Sequence, residues 1–333
     1  MHPLLVPALA RTHTLTCAPR HDVVRDLLGL QAQFSRNPEL SLRLRAQPED
    51  APWDEGLVKI WAHRGTMYVV NRAELGLYLS AADRGGDFQD GWWGMSAEEQ
   101  RFWAPFIQER LGEGPQSRED LKQACRDAGM DGELLAKAFY GWGGLIKEMV
   151  GRGMLVCSTG TDKSYALAGP VEWMDRDDAR RVLIRRYFHT FGPASKRDCA
   201  AFFGYPMREL QPLLHEILPD LDRMTLDGTD YYFVHPLPEA DVPDCVLLPG
   251  FDALVMAYRD RARLIDPKHL RKLVNLAGIV FPAAILRGRV RARWKLEGDK
   301  VTVTPFERLY KKDEAALRRA AKRMLDAGKV TFE

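Results

Sequence analysis

Two stretches of this 333-residue chain open with Gly-Pro and continue alike, and internal repetition restricts the possible folds more than any other sequence feature. "GPQSREDLKQAC" starts at Gly114 and "GPASKRDCAAFFG" at Gly192; in each, a serine is followed three residues later by an aspartate. Ser117 and Ser195 read as helix N-caps, their hydroxyls accepting from amides one turn on, with Asp120 and Asp198 near the positive helix end. Each copy then passes through a second helical stretch into two β-rich runs joined by a polar turn. These are "MLVCSTGTDKSYALA" (154–168), turning at Gly160, and "DRMTLDGTDYYFV" (222–234), turning at Asp227-Gly228. Helix, turn, helix, hairpin is the order of a winged helix-turn-helix.

A third copy is expected upstream. "LVKIWAHRGTMYVV" (57–70) aligns without gaps on "LIKEMVGRGMLVCS" (145–158), sharing Leu57/Leu145, Lys59/Lys147, Arg64/Arg152 and Gly65/Gly153. The shared pattern predicts a helix that ends at a glycine and passes into a strand. After Asp244 the texture changes to "CVLLPGFDALVMAYRDRARL", a helical "DPKHLRKLVNLAG", and an antiparallel β-meander from Val280 to Phe306. A basic amphipathic helix, "KKDEAALRRAAKRMLDAG", closes the chain. Turn-rich stretches near 112, 172 and 240 divide it into segments 1–112, 113–172, 173–240 and 241–333. The fold class is therefore α+β, with three tandem winged-helix units and a basic β-rich C-terminal region.

Net charge is only +2, but its distribution is uneven. From Arg259 to Lys295 eleven basic residues face two acidic ones, Asp260 and Asp266. In "RGRVRARWKL" the period-two alternation puts Arg289, Arg291, Arg293 and Lys295 on one face and Val290, Ala292, Trp294 and Leu296 on the other. A strand with a row of cations suits a phosphate backbone, although charge also keeps edge strands soluble. The five cysteines are never closely spaced, the histidines form no pair at helical spacing, and no phosphate-cradling or dinucleotide glycine motif occurs. Neither a metal nor a nucleotide cofactor is expected. No apolar run approaches the ~18 residues of a membrane span, and "MHPLLVPALARTH" lacks the form of a signal peptide, so the cytoplasm is the expected location.

Four fragments, "LLGLQAQFSRNPELSLRLR", "LVKIWAHRGTMYVV", "LLPGFDALVMAYRDRARL" and "VFPAAILRGRVRARW…VTVTPF", occur in this order along nearly the whole chain. In this they resemble the AlkZ/YcaQ-type winged-helix DNA glycosylases. The resemblance implies a C-shaped array of three winged helices that excises N7-alkylated purines from double-stranded DNA and unhooks crosslinks joined through guanine N7. It implies a catalytic Gln-x-Gln signature, which maps onto Gln31 and Gln33. Family members often carry histidine where this chain has Tyr68, which puts any role of position 68 in doubt. The resemblance also implies a shallow, open site, because a base tethered to both strands cannot be flipped out.

A glutamine amide offers an acceptor and two donors but no titrating group. That is enough if the leaving base is already cationic, because it departs neutral without being protonated. The protein then has only to hold a water at the sugar and aim carbonyl dipoles at the developing positive charge. On a regular helix residues i and i+2 point about 200° apart, so Gln31 and Gln33 are expected at or beyond the last turn of a helix beginning near His21. That helix should bury Val24, Leu27, Leu28 and Phe34, and Pro38 should keep Asn37 out of helical geometry. Trp61, Arg64 and Thr66 are candidate wall or backbone contacts. Asp252 and Tyr258 are candidates to border the site, with Asp252 alternatively paired to an arginine. Arg259, Arg261, Arg289, Arg291 and Arg293 are candidate phosphate contacts. The expected enzyme is a monomeric, monofunctional DNA glycosylase. The competing reading is a non-enzymatic winged-helix transcriptional regulator, which leaves the glutamines without a role.

Overall fold

Both Gly-Pro-X-Ser turns open helices in the computed structural model, which describes residues 2–82 and 87–333. The Ser117 hydroxyl accepts from the Asp120 amide at 3.1 Å, and that of Ser195 from the Asp198 amide at 3.1 Å. Asp198 returns the bond by accepting from the Ser195 amide at 2.9 Å, completing a capping box. The chain gathers into two compact units, one of residues up to Trp53 together with Arg181–Glu333, the other Asp54–Arg180.

In the unit Asp54–Arg180, helices Ala97–Gly112, Arg118–Asp127, Gly132–Ala138 and Gly144–Gly151 lead into strands Leu155–Cys157 and Ser164–Leu167. Strands lie side by side in the order Met67–Asn71, Leu57–Trp61, Leu155–Cys157, Ser164–Leu167, Gln116–Ser117. The residue-for-residue alignment of 57–70 with 145–158 does not survive as structure. Leu57–Trp61 is a strand paired antiparallel with Met67–Asn71, whereas its counterpart is helical. Burial explains the difference: Leu145, Ile146, Met149 and Val150 face a core at helical spacing. Leu57–Trp61 is instead rich in strand-favouring side chains and has a partner strand on each edge, touching Leu155–Cys157 through Lys59 and Cys157.

In the other unit, the helix Arg176–Phe191 (from Arg181 on) is followed by Lys196–Phe203, Met207–Ile217 and the hairpin Asp222–Leu226/Thr229–Phe233. That hairpin turns where expected, with Asp227 at φ 49° and Gly228 at φ 73°. Tyr187, Phe188, Phe191, Phe202 and Phe203 pack on one another, Tyr187 on Phe188 and Phe202 on Phe203 edge to face and Tyr187 on Phe191 and Phe202 at 45°.

The C-terminal sheet has the order Lys329–Phe332, Lys300–Pro305, Arg289–Glu297, Ala283–Leu286, Cys245–Leu248. The expected meander forms its centre. It is extended by Cys245–Leu248 on one side and on the other by Lys329–Phe332, which runs parallel to its neighbour. Helix Lys311–Leu325 lays Ala316, Leu317, Ala320, Ala321, Met324 and Leu325 on a sheet face built from Cys245, Leu247, Ala284, Ala292, Trp294, Val301 and Val303. Leu40 and Leu44 join this core, which ties the N-terminal residues to the C-terminal sheet. The stretch expected to be helical after Asp266 shrinks to a 3-10 turn, Pro267–His269, and one helical turn, Leu270–Leu273.

Candidate active site

The helix Arg20–Asp26 buries Val23 and Val24, and two left-handed residues in succession, Leu28 (φ 58°) and Gly29 (φ 84°), stop it. The Gly29 amide donates back to the Val24 carbonyl at 2.9 Å, closing the helix end. The chain then runs extended through Leu30–Gln31, bends at Gln33 and Phe34, and enters helix Arg36–Arg45. Gln31 and Gln33 therefore stand on a non-helical connection, where the 200° separation of helical geometry does not apply. Gln31 is 9% exposed and Gln33 lies open to solvent. Two expectations are corrected here. Phe34 is 49% exposed rather than buried, because the chain has left the helix before reaching it. Asn37 is helical: Pro38 sits in the first turn of Arg36–Arg45, where its missing N–H loses no bond. No side chain between Gly29 and Ser35 carries a carboxylate, imidazole, amine or thiol.

The loop after strand Cys245–Leu248 packs against this connection. The Phe251 ring stacks on Phe34 with centroids 5.5 Å apart and planes at 26°. A Cβ on Gly250 would stand 3.3 Å from Asn37 Nδ2 and 3.2 Å from the Val280 carbonyl, a tight fit that would oblige its neighbours to shift by a few tenths of an ångström. Next to it, Asp252 meets Arg45 in a fork-to-fork pair: Nη1 donates to Oδ2 and Nη2 to Oδ1, both at 2.9 Å, with neither side chain exposed. Arg45 also donates to the Thr12 carbonyl (2.8 Å) and to Ser41 Oγ (3.0 Å), while Asp252 Oδ1 accepts from the Leu254 amide (2.9 Å). Asp252 is thus the clamp between two segments distant in sequence, the pairing with an arginine that was the alternative reading of this residue. Tyr258 is likewise enclosed: its hydroxyl donates to the Phe191 carbonyl at 2.9 Å and Arg263 lies 3.6 Å over its ring. Burial pushes its phenol up to about 12, so it stays a donor.

The profile of the family described as "DNA glycosylase AlkZ-like" matches residues 24–327. The chain belongs to the AlkZ-like DNA glycosylase family. An "Interstrand DNA cross-link repair glycosylase" of Streptomyces sahachiroi is 25% identical over 316 residues, covering 86% of this chain and 84% of that protein. The solved structure of Streptomyces sahachiroi DNA glycosylase AlkZ superposes with a TM-score of 0.80 over 99% of this chain and 98% of that one, at 22% identity. Its mixture of helix and sheet is that of the fold described above. Membership makes this chain an enzyme of the N-glycosyl hydrolase class with DNA as its substrate, the reading favoured over a transcriptional regulator.

Of the remaining residues singled out in this AlkZ-like chain, Trp61, Arg64 and Thr66 come together at the Leu57–Trp61/Met67–Asn71 hairpin turn. Arg64 (φ 54°) and Gly65 (φ 64°) make the reversal, and Thr66 Oγ1 donates to the His63 carbonyl at 3.1 Å. Arg64 Nη2 donates to the buried Tyr68 hydroxyl at 2.5 Å, which gives position 68 a packing partner. Lys147 Nζ lies 6.0 Å over the Trp61 ring. In the other unit Arg259 is exposed, while Arg261 Nε donates to the Val255 carbonyl at 3.0 Å. The row of arginines is uneven. Arg291 is paired with Glu307 (2.8 Å) and Asp313 (3.7 Å), Arg289 donates to the Ala262 carbonyl at 2.5 Å, and Arg293 lies 5.2 Å over the Phe281 ring. Arg45, Asn37 and Phe251 were missed from sequence. Each acts through a contact with a residue about 200 positions away, which no local pattern records. Among the described residues no helix is long and apolar enough to cross a membrane.

Proposed function

We propose that this chain hydrolyses the N-glycosidic bond of N7-alkylated, cationic purines in duplex DNA, including purines joined across strands, and that Gln31 and Gln33 are its reacting centre. The bond between C1′ and N9 breaks with its electron pair going to the purine, which neutralises the ring cation. A water oxygen adds to C1′ and its proton passes to solvent. One amide carbonyl holds the water and the other faces the developing charge on the sugar. The observation that carries the reading is the non-helical Gln-Ala-Gln connection itself, with Gln33 exposed and no ionisable side chain within the stretch. Such a site is a poor catalyst for ordinary bases, which need a general acid, and an adequate one for a base that already bears a charge. The name of the S. sahachiroi relative supports crosslinks as substrates.

In the same proposal three winged helices form a C-shaped groove for the duplex, the protein acts as a monomer, and water rather than a lysine is the nucleophile. A duplex containing N7-methylguanine tests it. The protein should release free base and leave the strand intact until alkali is added. Gln31→Ala and Gln33→Ala should each slow release by about 10²–10³ with duplex affinity retained. Unchanged release in both variants overturns the assignment of the site, and strand breakage without alkali overturns the monofunctional mechanism.

A further inference from the structure

An exposed phenylalanine is ordinary on a protein surface; Phe34 is unusual in how it is held. It directly follows Gln33 and half its surface is open, 49%. One face of it is backed by the Phe251 ring, with centroids 5.5 Å apart and planes at 26°, which leaves the rest of the ring open. Phe251 has φ 54°, a left-handed conformation that costs a bulky residue of order 1 kcal/mol or more. Three contacts keep it there. Its amide donates to the Val280 carbonyl at 3.2 Å, Gly250 before it leaves little room for a side chain beside Asn37, and Asp252 after it is locked to buried Arg45. Close to this support, Phe281 follows Val280 and carries the Arg293 guanidinium over its ring at 5.2 Å. The fold holds a strained backbone in order to present an aromatic edge beside the two amides, with a cation on a neighbouring ring.

We propose that Phe34 is a wedge: it enters the base step next to the target purine and stacks on that purine's face, taking the place of one neighbouring base. The proposal rests on the reading of Gln31 and Gln33 as the reacting centre, which is what brings the lesion next to Phe34. A wedge suits a purine that cannot swing out of the helix, because partial unstacking opens the sugar to attack while the base stays tethered. A rigid backing is what such an insertion needs, since unstacking a step costs a few kcal/mol and a yielding side chain would be pushed aside. An aromatic face also favours a cationic purine over a neutral base. That preference belongs mainly to binding, because the ring loses its charge as the bond to the sugar breaks.

The experiment uses the full-length protein and a duplex with a 2′-fluoro N7-methylguanine nucleotide, which resists cleavage, flanked by 2-aminopurine. Saturating wild-type protein should raise 2-aminopurine fluorescence severalfold as the step unstacks. Phe34→Ala, at an exposed site that leaves the core intact, should bind without that rise, and Phe34→Tyr should restore it. On the cleavable duplex, Phe34→Ala should weaken KM about tenfold, the order of one lost base–aromatic stack, and lower kcat as well, because the Phe34–Phe251 stack is lost with it. Equal fluorescence and equal KM for wild type and Phe34→Ala, with base released by both, would overturn the wedge and leave the proposed activity standing. A fluorescence rise that depends on Phe34, from a wild type that frees no base, would overturn the activity and keep the wedge.

Discussion

Removing Asp252 should be among the most damaging single changes in the protein, although it touches no substrate. Both partners of the Arg45–Asp252 pair are fully enclosed, so Asp252→Ala leaves a guanidinium out of water with two of its donors unmet. Thr12 and Ser41 satisfy only its other donors. Breaking a buried pair from one side costs about 3–5 kcal/mol, and the lost cap on the Leu254 amide adds about 1 more. For a unit of this size that lowers Tm by roughly 8–24 °C, at 2–4 °C per kcal/mol. The converse is equally specific. Replacing both residues, as in Arg45→Met with Asp252→Leu, removes the stranded charge and should recover most of the loss, because a well-packed apolar pair is often as stable as a buried ionic one. Denaturant unfolding of the two single variants and the double variant, read as a thermodynamic cycle, checks this. A loss under 1 kcal/mol for Asp252→Ala, or a double variant as unstable as the two singles added, would refute the account of Asp252 as a clamp.

Other consequences can be checked with simpler assays. Cys17 is exposed while Cys125, Cys157, Cys199 and Cys245 are buried, and burial pushes these thiols up, Cys125 to about 11 and Cys157 and Cys245 to about 12. A chromogenic disulfide should therefore label Cys17 quickly in the native protein and the other four only on unfolding; early labelling of a second site would contradict the packing. Asp26 is subject to burial, which alone would raise its carboxyl, but hydrogen bonds from His13 and Arg25 outweigh that and hold it below its ordinary 3.8. A depressed carboxyl stabilises the fold above its unfolded value and loses that contribution as pH falls through the folded one. The stability gap between wild type and Asp26→Asn should accordingly be widest near neutrality and close at a pH below 3.8; a gap that widens in acid would be inconsistent with this. Exposed Arg259 is a candidate phosphate contact, so Arg259→Ala should weaken lesion and plain duplex alike and reduce the salt slope of binding by about 1. An unchanged slope would remove it from the interface.

Much of this arrangement was legible in the sequence because it depends on local rules. The Ser117 and Ser195 caps, the turn at Asp227-Gly228 and the alternation of buried Val290, Ala292 and Trp294 with outward arginines follow from neighbours within a few residues. The failures share a different cause. Leu57–Trp61 reads as helical by alignment but is paired on both edges, a condition set by strands elsewhere in the chain. Asp252 was legible as a partner for an arginine, but not which one, because Arg45 lies far off in sequence, and the Phe191 carbonyl that holds the Tyr258 hydroxyl is just as remote from it. The parallel edge strand Lys329–Phe332 also depends on where a preceding helix returns the chain, which no local pattern records.

The division of labour at the candidate site follows from what neutral amides cannot do. A side chain that neither gives nor takes a proton must achieve its effect by position, and position is only as good as the groups that fix it. Gln33 is exposed and lies at a bend, so its own packing cannot supply that precision. The supply comes from either side: the left-handed stop at Leu28 and Gly29 before it, and after it Phe34 on Phe251, Asn37 against Gly250, and the Arg45–Asp252 clamp. If this is how the amides are aimed, loosening the support should cost kcat while leaving the initial electrostatic encounter with DNA intact. Phe251→Ala provides that test in a variant that spares both glutamines and every candidate phosphate contact. It should lower single-turnover release on N7-methylguanine duplex by about tenfold, as expected when oriented groups lose fixed geometry, with the salt dependence of binding unaltered. A Phe251→Ala protein that releases base at the wild-type rate would show that the amides are placed by something other than the loop beneath Phe34.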